Sequence, residues 1–300
     1  MIYYIRKEWK NNLIVIILTI VCVALQISVN LLTMRSAQSI IDLNWGRFLG
    51  ITLVELCCWL LNFLFTGIGY HVQSKAIRFM NNAVRRDIAA TMAAKKYEDF
   101  HKSDTGELIS QFSNDIERIE HLAWIPFYQC IELVSGIVLS IIALSTVHWT
   151  FLIAAAINAL LMIAAPRLFD KKMASVGSAC TVEQAEGLSR IKDVSEGFDV
   201  LSLFGKKERF ISGISEGSDG IEKPKFRLNS TTGFTSVIVE SINIVCQYLT
   251  SVWLAMLIFK GAVFPGALLG TGNIIGRLSS ALGNIATSML SITASKPYFD

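Results

Sequence analysis

Charge is missing from this chain in blocks of membrane-spanning length. Asn11–Met34 carries no formal charge, and about 20 helical residues suffice to cross the hydrocarbon layer. Phe48–Ser74 contains only Glu55, and Leu122–His148 only Glu132. Trp149–Ala165 has no charge, Leu228–Phe259 only Glu240, and Gly261–Ser295 only Arg277. A soluble domain of 300 residues could bury a large core, but a charged fraction of 17% concentrated outside these blocks points elsewhere. Backbone groups in lipid must be satisfied within the segment, so the blocks are helices. The reading is an all-α membrane protein with six spans, at about 11–34, 48–74, 119–148, 149–170, 228–259 and 262–295. Two long loops, at about 75–118 and 171–227, separate spans two from three and four from five.

The net charge of +3 gains meaning once it is mapped. Arg6, Lys7 and Lys10 precede the first span, and Lys75, Arg78, Arg85, Arg86, Lys95, Lys96, Lys102 and Arg118 lie between spans two and three. A third basic group runs from Arg167 to Arg227, while the opposite connections hold only Arg35, Arg47 and Lys260. Positive charge marks the cytoplasmic side, so both termini and both long loops are expected there. This topology explains the basic residues, and no nucleic-acid partner is expected. The first apolar run is too long for a secretory signal and lacks a small-x-small cleavage site, so an uncleaved span is expected. Of the six cysteines, Cys22, Cys57, Cys58, Cys130 and Cys246 fall within spans, and Cys180 in a loop. Their spacing fits neither a zinc site nor a redox motif. No metal-ligand spacing links His71, His121 and His148 either, so no metal site is expected.

The long loops have helical periodicity. Ile77, Met80, Val84, Ile88 and Met92 recur at steps of three or four, as do Val182, Ala185, Leu188, Ile191, Val194 and Phe198. The simplest arrangement lets spans two to five run on as helices far longer than a bilayer requires. In the first loop Lys102-Ser103-Asp104-Thr105-Gly106 is rich in turn formers, with Asp104 or Thr105 as a helix cap. In the second, Gly197 and Gly205 bracket Phe198–Phe204, and Gly213, Gly217, Gly220 and Pro224 are expected to break up the region beyond. A short apolar piece between two glycines suits a small crosswise helix.

These residues carry a resemblance. Tyr97-Glu98-Asp99-Phe100-His101-Lys102, followed by Thr105-Gly106-Glu107-Leu108-Ile109-Ser110 and on to Asp115, resembles the first intracellular loop of ABC exporters. That loop carries an aromatic-rich turn and then T-G-E-L-I-S-R-L-x-x-D; here Gln111 replaces the usual Arg. Glu196-Gly197-Phe198 to Phe204 and Lys206–Phe210 look like the family's second coupling region, with Ser202 where a basic residue is common. Gly261–Leu268 looks like the G-x-x-x-x-G-x-L turn that opens the sixth helix.

The resemblance implies a six-helix exporter domain with long cytoplasmic extensions and two coupling helices. It implies that Tyr97, Phe100, His101, Thr105, Gly106, Glu107 and Asp115, with Gly197, Phe198, Leu203 and Phe204, engage a nucleotide-binding domain. It further implies a second transmembrane domain, as homodimer or heterodimer, and a cargo that is a small molecule, lipid or peptide. The implied location is a bacterial cytoplasmic membrane. No G-x-x-x-x-G-K-[S/T] phosphate loop occurs in the sequence, so no catalytic residue and no cofactor is assigned to this chain. ATP and magnesium are expected in a nucleotide-binding domain lying downstream or on another polypeptide. Phe299-Asp300 falls about where the family's sixth helix hands over to that domain, which favours a chain that continues.

The intramembrane charges Glu55, Glu132, Glu240 and Arg277 are the candidate cavity residues, because an ionisable group within a span tends to face a cavity or a partner. At about 1.5 Å per residue, Glu132 lies roughly 24 Å from His148 along its helix, and Arg277 roughly 22 Å from Ala262. The two are level, and in the resembled family their helices are neighbours, so a pair is expected. Glu55 should lie in the outer half of span two and Glu240 toward the inner side of span five. If they face the cavity they favour a cationic or zwitterionic cargo. Gln26, Asn30, Asn243 and Gln247 could supply further cavity hydrogen bonds, with interhelical packing the favoured role for each. The competing readings are an ATP-independent six-span carrier or channel, and a non-transporting regulatory subunit of the same fold.

Overall fold

A computed structural model describes residues 1–94, 109 and 111–299. Its helices, numbered here in chain order, are α1 (Ile2–Lys7), α2 (Trp9–Ile41), α3 (Trp45–Ala93), α4 (Phe112–Val147) and α5 (Thr150–Arg167). They continue with α6 (Asp170–Glu196), α7 (Phe198–Leu203), α8 (Lys207–Phe259) and α9 (Ala267–Ala294). No strand occurs among the described residues. Among those residues α2, α3, α4 and α8 are long and apolar enough to cross a membrane by length and composition. Within α5, Thr150–Met162 is a shorter apolar helix. At 28 residues α9 has the length, but its Ala, Gly, Ser and Thr content lowers its hydropathy. Those small residues suit burial against neighbours, and α9 packs on α2 and α4.

The chain divides into two compact units, Met1–Ala159 with Gln247–Asp300, and Leu160–Cys246. In the first, α2 packs on α3, α4 and α9. The most apolar window of α3 has mean hydropathy 2.0 yet is only 6% buried, which in water would be prohibitive and in lipid is ordinary. Each reversal has a local cause. The Asn44 side chain accepts the Arg47 N–H at 3.0 Å and so caps α3. His148 is extended, which ends α4, and its Nδ1 accepts the Thr150 N–H at 3.3 Å at the start of α5. Gly261 takes φ +71° after α8, and α9 opens directly after Gly266, as the glycine spacing predicts. One core, with Val23, Met34, Leu144, Phe151, Leu254 and Ile274, lies toward these turns. A second, built on Met80, Ile116, Ile119 and Trp124, lies toward the two termini, where Tyr4 and Phe299 pack on it.

The second unit is a helical hairpin of α6 and α8 with α7 at its tip. Two expectations from the sequence are overturned here. Gly213, Gly217, Gly220 and Pro224 do not break the chain: α8 is continuous over 53 residues with Pro224 inside it. The glycines are a contact surface instead. A Cβ at Gly217 would lie 2.5 Å from Ile191 Cγ1, one at Gly213 2.7 Å from Val194 Cγ2, and one at Gly187 2.8 Å from the Gly217 carbonyl oxygen. Secondly, span four does not run on unbroken. α5 ends at Arg167 and α6 starts at Asp170, beyond Pro166, which has no backbone N–H to donate. The apolar stripe of α6 divides along its length: Val182, Ala185 and Leu188 are exposed, whereas Ile191 and Val194 are half-buried and face Gly217 and Gly213 of α8. The corresponding stripe of α3 does point inward, with Ile77, Met80 and Val84 buried.

Candidate functional site

Two arrangements could carry function: a polar network inside the first unit, and the tip of the hairpin in the second.

The network begins on the α2–α3 pair. Asn62 Nδ2 donates to the Cys22 carbonyl at 3.0 Å, and Thr66 Oγ1 donates to Cys22 Sγ at 3.6 Å. Gln26 Nε2 donates to Asn62 Oδ1 at 3.4 Å, while Gln26 Oε1 accepts a hydrogen bond from Arg277 Nη1. Arg277 Nη2 stands 3.9 Å from Glu132 Oε1. Four helices therefore meet through side chains of Asn62, Gln26, Arg277 and Glu132. The guanidinium is the better sheltered partner: the Arg277 side chain is 24% exposed and that of Glu132 58%. Gly136, one turn along α4 from Glu132, lies beside the arginine, and a Cβ there would make an ordinary contact with Arg277 Nε at 3.5 Å. A cleft of about 210 Å³ opens beside the network between α2, α3 and α4, with Gln26 and Glu132 in its wall.

Glu132 and Arg277 are thus brought together. Glu55 and Glu240 join no such cluster. Glu55 Oε1 is buried without a hydrogen-bond partner, and Glu240 is exposed on α8. Gln26 links helices, as read, and it does so as the acceptor for Arg277, a partner the sequence reading did not name. Its pairing with Asn62 has a sequence signal: both stand nearly the same number of residues from the turn at 42–44, so an antiparallel pair brings them level.

A second polar cluster supports the core near the termini. Trp124 Nε1 donates to Asn81 Oδ1 at 2.9 Å, and Asn81 Nδ2 donates to Glu120 Oε2 at 2.8 Å. Tyr128 O–H donates to Asn12 Oδ1 at 2.5 Å. Tyr4 hydrogen-bonds Asp87, and burial together with that carboxylate pushes its phenol up to about 12. Arg118 Nη1 donates to Tyr298 Oη at 3.0 Å, tying the end of the described chain to α4. These groups are positioned for stability and offer no reactive pair.

At the hairpin tip, Gly197 and Gly205 bracket α7, and Gly205 takes φ +69°. Phe198 stacks edge-on against Phe210 with ring centroids 5.0 Å apart, which anchors α7 to α8. Leu203 is 84% and Phe204 71% exposed, and Val200 is exposed beside them. Of the residues in the first coupling stretch, Tyr97, Phe100, His101, Thr105, Gly106 and Glu107 lie outside the described residues. Asp115, half-buried, closes a wide π turn over Gln111–Asp115, and Arg85 Nε donates to the Phe112 carbonyl at 3.2 Å beside it. Among the described residues no group of three or more His, Cys, Asp or Glu is placed to hold a metal ion.

Long apolar helices, an α6–α8 hairpin and a short helix at its tip call for comparison with transporter families. The family described as the ABC transporter transmembrane region matches residues 13–288. The chain belongs to that family. No curated protein matches it significantly. The match takes in every helix from α2 onward, and with the lipid-suited surface of α3 it establishes an integral membrane protein. As an ABC transporter transmembrane domain, its usual context is a membrane and a nucleotide-binding partner.

Proposed function

We propose that this transmembrane domain is the substrate-translocating part of an ATP-driven exporter. It works in a bacterial cytoplasmic membrane with both termini inside, paired with a second transmembrane domain. The observation that carries the reading is α7: a six-residue helix with bare Leu203 and Phe204 at the tip of a hairpin whose arms are 27 and 53 residues long. Exposed apolar side chains clustered at the tip of a hairpin mark a docking surface. Their partner is a groove on a nucleotide-binding domain, with Tyr97–Lys102 as a second contact on the strength of the family likeness.

The physics is that of a stiff lever. At about 1.5 Å per residue, α6 is roughly 40 Å long. The glycine contacts between Gly187 and Gly217, and between Gly213 and Val194, lock its arms together. A motor domain that grips α7 biases the packing of helices far away without bending the arms. ATP and its magnesium belong to that partner, where phosphate transfer to water supplies the energy. The residues here contribute the grip and the levers.

Cross-linking tests this. With its ATPase present, a Leu203→Cys variant on a background without the native cysteines is expected to be joined to the nucleotide-binding domain by a short thiol-to-amine cross-linker. Leu160→Cys serves as the control. Absence of the Leu203 adduct, or equal yield from the control, counts against the proposal.

A further inference from the structure

The wall of the cleft between α2, α3 and α4 carries one carboxylate, Glu132, among the neutral polar groups of Thr19, Gln26, Thr66, Tyr70 and Gln73. Arg277, which is held by Gln26 and stands 3.9 Å from that carboxylate, is not part of the lining. More than half of the Glu132 side chain is open, at 58% exposure. A carboxylate deep in a membrane helix is costly and is found facing a cavity, an ion path or a partner. Arg277 leaves most of this carboxylate open, and an open carboxylate in a cleft wall draws cations toward it. We infer that this cleft seats an organic cation, the ammonium group of an amine or amphiphile, with Glu132 as counter-charge.

Size and chemistry narrow the class. At about 210 Å³ the cleft is smaller than the roughly 300–1,000 Å³ of sites that enclose a drug-sized ligand. It therefore takes a headgroup and leaves an alkyl tail outside. Phe65 and Tyr70 add aromatic surface, which attracts ammonium groups through the ring quadrupole. A hard metal ion is a poorer match, because calcium takes six to eight oxygen ligands and magnesium demands a near-octahedral set. One carboxylate among neutral groups supplies neither. That the cation is cargo rests on the exporter reading above; that the cleft binds it does not.

The test uses the transporter purified with its ATPase in an uncharged maltoside detergent, without ATP. The probes are radiolabelled dodecyltrimethylammonium and its anionic counterpart, laurate. Saturable binding of the cation is expected, with laurate at least ten-fold weaker. Glu132→Gln is expected to weaken cation binding at least ten-fold, and Glu132→Asp to restore part of it. Gly69 lies in the cleft wall, and a Cβ there meets nothing within 4 Å. Gly69→Leu should therefore fill the cleft and lower affinity at least ten-fold without lowering the melting temperature, whereas Gly177→Leu should leave binding unchanged. Equal binding of laurate, or unchanged affinity in both Glu132→Gln and Gly69→Leu, overturns the inference. The exporter reading fails separately: cation binding with no ATP-dependent movement of any compound sinks that reading and leaves the cleft assignment standing.

Discussion

At the scale of single residues, Arg277 depends more on Gln26 than on the carboxylate that depth arithmetic pairs with it. The amide accepts directly from Nη1, while Glu132 is 3.9 Å away and more exposed. Gln26→Leu removes the close acceptor of a mostly sheltered guanidinium, so it is expected to cost about 1.5–3 kcal/mol, the range for hydrogen bonds to charged groups. Glu132→Gln should cost less than about 1 kcal/mol, in keeping with an exposed ion pair. Denaturant titration of the two variants in one detergent checks the order, and a larger loss for Glu132→Gln contradicts it. Tyr4 allows a test against pH. Its folded-state pKa is raised, to about 12, so folding favours the protonated phenol. That contribution is complete below the unfolded value of about 10 and fades as pH rises toward the folded one. Tyr4→Phe is expected to cost about 0.5–1.5 kcal/mol at neutral pH, the worth of a typical hydrogen bond. The gap between wild type and variant should close between about pH 10 and 12; a gap that widens there refutes the assignment. The level placement of Glu132 and Arg277 was legible because helix rise is regular. That Gln26 accepts from Arg277 was not, because counting from the turn levels Gln26 with Asn62 alone.

At the scale of elements, the glycines of α8 show how one residue type serves opposite ends. Gly197 and Gly205 stop helices, and the sequence reading of Phe198–Phe204 as a bracketed piece matches α7. Gly213, Gly217 and Gly220 were read the same way and instead sit inside a continuous helix. What distinguishes them is the facing helix, which spacing within α8 alone does not reveal. Gly187→Ala places a Cβ 2.8 Å from the Gly217 carbonyl oxygen, a backbone atom that cannot swing aside. It is expected to cost about 1–3 kcal/mol, the usual range for overpacking. Gly177→Ala, with nothing within 4 Å, should stabilise α6 by about 0.5–1 kcal/mol through helix propensity. Amide hydrogen exchange along α6 and α8 measures both; equal protection in the two variants would show that the glycine contact carries no load. The stripe on α6 is covered only in part: Ile191 and Val194 meet α8 while Val182 and Leu188 stay exposed, because periodicity finds an apolar face and the facing helix decides how much of it is covered.

At the scale of the whole molecule, the class of fold was legible because lipid leaves few options: charge-free blocks must be helices. The partner's identity was not legible, because it is written on a surface outside this chain. The central claim is that α7 delivers the movement of an ATPase to the membrane helices. Leu43 and Ser145 are exposed residues at the α2–α3 and α4–α5 turns of the first unit, suited to spin labels. The most direct measurement is the distance distribution between labels at these two positions, in the transporter with its ATPase, with and without ATP and vanadate. The account expects a nucleotide-dependent shift of several ångströms in the parent protein, on the order of known interface ratchets, and its loss in Phe204→Asp although nucleotide still binds. A shift of parental size in Phe204→Asp would contradict the account.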